Sequence, residues 1–140
     1  MRHVDDRPAP VTRDCAVPAD PSASAAARRF LLEAAADWDL SPDLTEVAQL
    51  VVSELVSNAV EHAETPSTIV LSLSDGELTI SVRDGSPTQP VPRPLDTVSF
   101  RGRGLPLIDR VSERWGIENH PDGKTVWAVL SVDADPADLG

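Results

Sequence analysis

Two kinds of apolar periodicity divide this chain. From Asp20 to about His62 apolar residues recur at helical spacing, and from Ile69 onward they alternate with period two. Asp20-Pro21-Ser22 opens a first helix, with a capping-type residue and a proline just inside. Ala25 to Trp38 continue it and offer Phe30, Leu31, Ala34 and Ala35 for burial. Ser41-Pro42 opens a second, long helix by the same device, running to about His62. Its wide apolar face (Leu44, Ala48, Val52, Leu55, Val56, Ala59, Ala63) needs an extended partner. Ile69 to Leu73 and Leu78 to Val82 alternate strictly around Asp75-Gly76, a strong hairpin signal. Each has one apolar and one Ser/Thr face, which fits an antiparallel sheet covered on one side. Trp115 to Asn119 and Thr125 to Val132, around Pro121-Asp122-Gly123, predict a second hairpin. Leu105 to about Glu113 predicts a third helix with Pro106 in its first turn. Cys15 to Pro18 reads as a short edge strand. Residues 1–14 show no periodicity and read as a disordered lead-in, and 133–140 as a frayed acidic tail, leaving 15–132 as the folded domain.

One stripe of the long helix changes character along its length. Val47 and Val51 begin it; Glu54, Asn58 and Glu61 continue it. Glu54 and Asn58 are one helical turn apart and share a face. Such a stripe fits a helix running from a core into a wet groove. A carboxylate and a carboxamide there suit a general base beside a ligand for a hydrated metal ion. The plainer alternative is a solvated helix face.

Composition narrows the classes. At 140 residues the chain is one domain, large enough for a core without staples, and its single cysteine, Cys15, allows no intrachain disulfide. No apolar run follows Met1 and no stretch reaches membrane-spanning length, so the expectation is a soluble cytoplasmic protein without a membrane role. A net charge of −11 argues against direct nucleic-acid binding, and a polyanionic ligand would need a local exception to that field.

Further candidates follow the first hairpin. Asp84 sits at a strand end before Gly85-Ser86-Pro87, where a carboxylate can accept from an amino group such as adenine's; an ordinary turn is the alternative. A proline-bearing stretch of about twenty residues then leads to the third helix, a length typical of lids and binding loops. It ends in Arg101-Gly102-Arg103-Gly104-Leu105. There the glycines permit close backbone approach to a phosphate and the arginines supply local positive charge, with a flexible linker as the alternative. Gly123-Lys124-Thr125 begins the last strand, and for Gly123 and Lys124 an ordinary hairpin turn is the favoured reading. His3, His62 and His120 form no metal-binding pattern.

In this order, Glu54-x-x-x-Asn58, Asp84, Gly102-x-Gly104-Leu105 and Gly123-x-Thr125 resemble the N box and glycine boxes of the GHKL (histidine kinase-like) ATPases. Trp115-Gly116 and Gly123 to Trp127 look most like the small actinobacterial ATP-binding proteins of the anti-sigma factor, protein-serine kinase type. The resemblance covers about residues 15 to 132. It implies an α+β two-layer sandwich of the Bergerat type, with three helices on one face of a mixed, mainly antiparallel sheet. It further implies ATP and Mg²⁺ as ligands. Glu54 would activate the nucleophile and Asn58 would bind Mg²⁺. Asp84 would read the adenine amino group with Thr125 beside it. Gly102 and Gly104 would hinge the lid and cradle phosphate, with Arg101, Arg103 and Leu105 alongside. The usual Asp-x-Gly-x-Gly box reads Asp84-Gly85-Ser86-Pro87 here, a departure at the adenine end of the lid. The implied activity is phosphorylation of a serine on an anti-sigma factor antagonist, with sequestration of a sigma factor. The alternative is a nucleotide-gated adaptor that transfers nothing. Relatives of this type are often dimers, so a homodimer is compatible with the resemblance. No helix pairs a histidine with a dimerisation pattern, as a complete sensor histidine kinase would.

Overall fold

The computed structural model describes residues 10–62, 65–85 and 105–139. Its strands are β1 (Val11–Val17), β2 (Ser67–Ser74), β3 (Glu77–Asp84), β4 (Arg114–His120) and β5 (Gly123–Ser131). Its helices are α1 (Ala23–Asp37), α2 (Pro42–His62) and α3 (Leu105–Val111), followed by a 3-10 turn at Pro136–Leu139. The strands form one five-stranded sheet in the order β1-β2-β3-β5-β4. All four pairings are antiparallel, where the sequence reading allowed for a mixed sheet.

Local chemistry sets the helix ends. The Ser41 hydroxyl accepts from the Leu44 amide at 3.1 Å, with Pro42 in the first turn, so α2 starts where the pattern predicts. Helix α1 ends in a left-handed residue, Asp39 (φ 55°). The Leu40 amide reaches back to the Ala35 carbonyl at 3.0 Å and that of Asp39 to Ala36 at 3.4 Å. This is a Schellman arrangement with aspartate where glycine is usual. It reverses the chain tightly and lays α1 against α2. The Asp20 carboxyl accepts from the amide and hydroxyl of Ser22, and those bonds hold it below the ordinary carboxylate range. Asp75 and Gly76 both have positive φ, as a two-residue turn matched to strand twist requires.

The core lies between the helices and one sheet face. Leu31 and Ala34 of α1, Leu44, Val47, Val51, Val52, Leu55 and Val56 of α2, and Ile108 of α3 are all essentially inaccessible. They meet Ile69, Leu71, Leu78, Ile80, Val82, Ala128 and Leu130 from the sheet. The face predicted for α2 is thus the buried one, except Ala63, which lies outside the described residues. The opposite sheet face carries Thr68, Ser72, Thr79, Ser81 and Thr125. On it the bidentate Arg114–Glu77 pair (2.8 and 3.0 Å) spans from β4 to β3 across β5. That bond holds the Glu77 carboxyl below its usual range. Among the described residues no helix is long and apolar enough to cross a membrane.

The described parts of both terminal segments depart from the sequence reading; residues 1–9 of the expected lead-in lie outside the described residues. Strand β1 begins at Val11, inside the stretch 1–14 expected to be disordered. Its outward residues Thr12 and Asp14 are polar. Its inward Arg13 is held by an ion pair to Asp37 (2.7 Å) and by stacking over Trp38, so no apolar alternation marked it. The acidic tail expected to fray is pinned instead. Arg110 donates to the Leu139 carbonyl at 2.9 Å and the Val132 amide to that of Gly76 at 2.9 Å.

Two glycines should respond differently to a methyl group. A Cβ at Gly123 (φ 150°) would overlap the backbone carbonyl of Asp84, whereas at Gly76 (φ 76°) it would meet nothing within 4 Å. Gly123→Ala should cost about 2 kcal/mol or more, combining strain and overlap, while Gly76→Ala should cost about 1 kcal/mol from strain alone. Urea unfolding of the two variants measures the difference, and equal costs would refute the close packing at Gly123.

Candidate functional site

The polar stripe of α2 does not stay at the surface. Asn58 is only 1% exposed, on the edge of the face that carries Val47 and Val51. Among the described residues neither its Oδ1 nor its Nδ2 has a hydrogen-bond partner. Such a group costs about 1–3 kcal/mol relative to a satisfied one, so proteins rarely keep one without use. Glu54, one turn earlier, is half-buried, and neither a hydrogen bond nor an ion pair to it occurs among the described residues. Ser57 belongs to a different face, its hydroxyl 3.0 Å from that of Ser24 in α1. A carboxylate and an unpartnered carboxamide therefore lie together at the margin between core and surface.

The asparagine fits a hydrated Mg²⁺. A carboxamide oxygen is a hard neutral donor, and Mg²⁺ takes few protein ligands while keeping several waters. Among the described residues no group of three or more His, Cys, Asp and Glu is placed to hold a metal ion.

The second part of the site is one end of the sheet. Helix α2 ends at His62 and a short link leads to β2, so the carboxyl half of α2 connects to the start of β2. Ser67 at that start pairs with Asp84 at the end of β3, and Asp84 pairs with Lys124 at the start of β5. Asp84 is 2% exposed and faces the helices, in line with Ile80 and Val82. Its Oδ2 accepts from Lys124 Nζ at 2.7 Å. The Gly85 amide is held by the Thr65 hydroxyl at 3.1 Å.

Thr125, expected beside Asp84, lies elsewhere. Paired residues share a sheet face, and Thr125 pairs with Arg83, not with Asp84. Its hydroxyl is 3.0 Å from His120 Nε2 on the outer face. Lys124 takes the place beside the carboxylate. The sequence held the signal, because Val126, Ala128 and Leu130 alternate inward and place Lys124 on their side. Treating Gly123 and Lys124 as turn residues hid it. Leu105 is the first residue of α3. Arg101, Gly102, Arg103 and Gly104 lie outside the described residues.

Comparison with known proteins agrees with this architecture. The chain belongs to the histidine kinase-like ATPase domain family, which it matches over residues 17–130. It is 32% identical over 80 residues to an uncharacterised protein of Streptomyces coelicolor, an overlap of 54% of this chain and 76% of that protein. Its fold is similar to a crystal structure of the RsbU and RsbW domains of Rv1364c from Mycobacterium tuberculosis, with a TM-score of 0.67 and 20% identity. That alignment covers 86% of this chain, which spans 32% of the other. The α+β fold expected from the resemblance is the fold observed, with three helices among the described residues over one face of a sheet that is wholly antiparallel where a mixed, mainly antiparallel one was expected.

Removing the orphaned amide should not harm the free protein. Asn58→Leu, with an apolar side chain of similar length, should leave the melting temperature without nucleotide unchanged or raised, because it deletes an unmet desolvation cost. A large drop would mean that the Asn58 amide has a stabilising partner.

Proposed function

We infer that this domain binds ATP with Mg²⁺ and serves as an anti-sigma-type protein-serine kinase. In this reading it holds a sigma factor and phosphorylates a serine of the antagonist that competes for it. Family membership supports ATP binding. The fold shared with an RsbW-containing structure supports the regulatory class. One observation carries the chemistry: the buried, unpartnered Asn58 amide one turn from the half-buried Glu54 on α2.

The residues divide the work. Asn58 Oδ1 is the protein ligand to the metal, which when bound neutralises phosphate charge. Asp84 accepts from the amino group of the base. Glu54 takes the proton of the attacking serine hydroxyl as the new O–P bond forms and the bond from the γ-phosphorus to ADP breaks. Phosphoryl transfer of this kind depends mainly on positioning and charge neutralisation, so few groups suffice. Arg101, Gly102, Arg103 and Gly104 are assigned to the phosphates by their resemblance to the glycine box.

Ligand linkage tests the binding step. ATP with Mg²⁺ should raise the melting temperature, since saturation to 100 times Kd contributes about 2.7 kcal/mol. Asn58→Ala should abolish the magnesium-dependent part of that rise, and equal Mg²⁺–ATP affinity in the variant would remove Asn58 from the metal role.

Glu54 separates a kinase from an adaptor that merely binds nucleotide. Glu54→Gln should keep nucleotide and partner binding, because the side chains are nearly isosteric, but lose phosphoryl transfer by about 10²–10⁴-fold. The assay is transfer of labelled phosphate to an antagonist that the wild type phosphorylates. Equal rates in wild type and variant would refute the general-base role.

A further inference from the structure

The helix layer carries a surface outside the site formed by Asn58 and Asp84. Helix α1 turns by about 100° per residue, so its outward arc runs from Arg28 through Leu32, Ala25 and Ala36 to Arg29. All five are exposed, Leu32 at 45%. Two arginines thus flank an apolar strip with no carboxylate in it, on a chain of net charge −11. The other arginines and the lysine among the described residues are engaged. Arg13, Arg83, Arg114 and Lys124 each hold a carboxylate, and Arg110 holds the Leu139 carbonyl. Arg28 donates to the Ser53 hydroxyl at 3.0 Å and meets no carboxylate among the described residues. No hydrogen bond or ion pair to Arg29 occurs among them either. The strip opens onto a groove of about 300 Å³ lined by Arg28, Glu46, Gln49, Leu50, Ser53 and Leu139. Ser24 meets Ser57 and, one turn on, Arg28 meets Ser53, so α1 and α2 run antiparallel here. A further turn brings Leu32 level with Gln49, on the margin of the groove. Ser53 directly precedes Glu54, and Leu50 lies one turn before it. The groove therefore runs up to the carboxylate assigned to phosphoryl transfer.

We propose that this arc and groove dock the protein that accepts the phosphoryl group, through an acidic amphipathic helix of that protein. Its apolar face covers Leu32 and Leu50, and its carboxylates pair with Arg28 and Arg29. This rests on the reading of Glu54 as the general base for a protein serine, and adds the surface on which that protein is held. A groove between two helices suits a third helix laid along it, with anchors one turn apart. The guanidinium fork matches a carboxylate with two parallel hydrogen bonds, and arginine is enriched among residues that dominate binding. The acidic remainder of the chain repels an acidic partner, so the two arginines also determine where it lands. A merely solvated helix face is the weaker explanation. It would leave Arg28 and Arg29 to pair with the chain's own excess of carboxylates, as Arg13, Arg83 and Arg114 do.

Calorimetric titration of the full chain with purified candidate antagonists encoded in the same cell tests this. An antagonist that binds the wild type should bind the double variant Arg28→Glu, Arg29→Glu about 100-fold more weakly or worse. Leu32→Ala removes an exposed side chain and should weaken binding about tenfold. Added salt should weaken wild-type binding, because the charges that meet are near solvent. Both variants should keep the wild-type melting transition and its rise with ATP and Mg²⁺, which shows a folded nucleotide site. In transfer assays the double variant should raise the KM for the antagonist and leave kcat within about twofold. Wild-type affinity in both variants would overturn the docking surface while leaving the kinase reading standing. Binding of no antagonist by the wild type would overturn that reading and the surface together. A wild-type dimer that the double variant dissociates would assign the surface to a second copy, and would overturn the proposal.

Discussion

The burial of α2 against the sheet is the constraint on which the rest of the molecule depends. Its apolar arc spans Leu44 to Ala59 and contacts α1, α3 and the central strands. Each fully buried Val or Leu contributes roughly 1.5–3 kcal/mol of transfer free energy before entropy is counted. Six such residues on α2 outweigh the cost of about 1–3 kcal/mol of one unsatisfied amide. The packing can therefore hold Asn58 out of water at a position that the amide itself would not choose. Glu54, one turn earlier on the same edge, keeps partial access to solvent. A carboxylate and a carboxamide on a rigid, tightly packed helix are better positioned than a loop would make them.

A second constraint acts at the sheet end. Antiparallel pairing brings the start of β2, the end of β3 and the start of β5 to one level. The turn before β5 must pass close to the backbone of Asp84, and glycine at 123 allows it. Register, not sequence proximity, sets Lys124 opposite Asp84. The same register sends Thr125 to the outer face, where it joins His120. A change of one residue in register would exchange these two partners, because side chains alternate strictly.

Most of the architecture was legible in the chain. The openings at Asp20-Pro21 and Ser41-Pro42, the helical face of α2 and the Asp75-Gly76 hairpin each rest on local chemistry that tertiary contacts reinforce. The ordered set from Glu54 to Thr125 pointed to the family to which the chain belongs. Strand β1 was only partly legible, because its inward Arg13 is satisfied by Asp37 and Trp38 instead of by apolar burial. The acidic tail read as frayed because its anchor, Arg110, lies on α3, distant in sequence.

What the sequence by itself determined was periodicity: which faces would be buried, where helices would start, and that Glu54 and Asn58 would share a face. These depend on residues within a turn or two of one another. Only the tertiary structure decided that Asn58 would be desolvated with both amide atoms unpartnered, since that depends on what covers the helix edge. It also decided that Lys124, which alternation alone puts on the inward face, would stand directly opposite Asp84. Cross-strand partners are set by the register of segments forty residues apart in the chain (|i−j| = 40 for this pair), and no local pattern specifies that register.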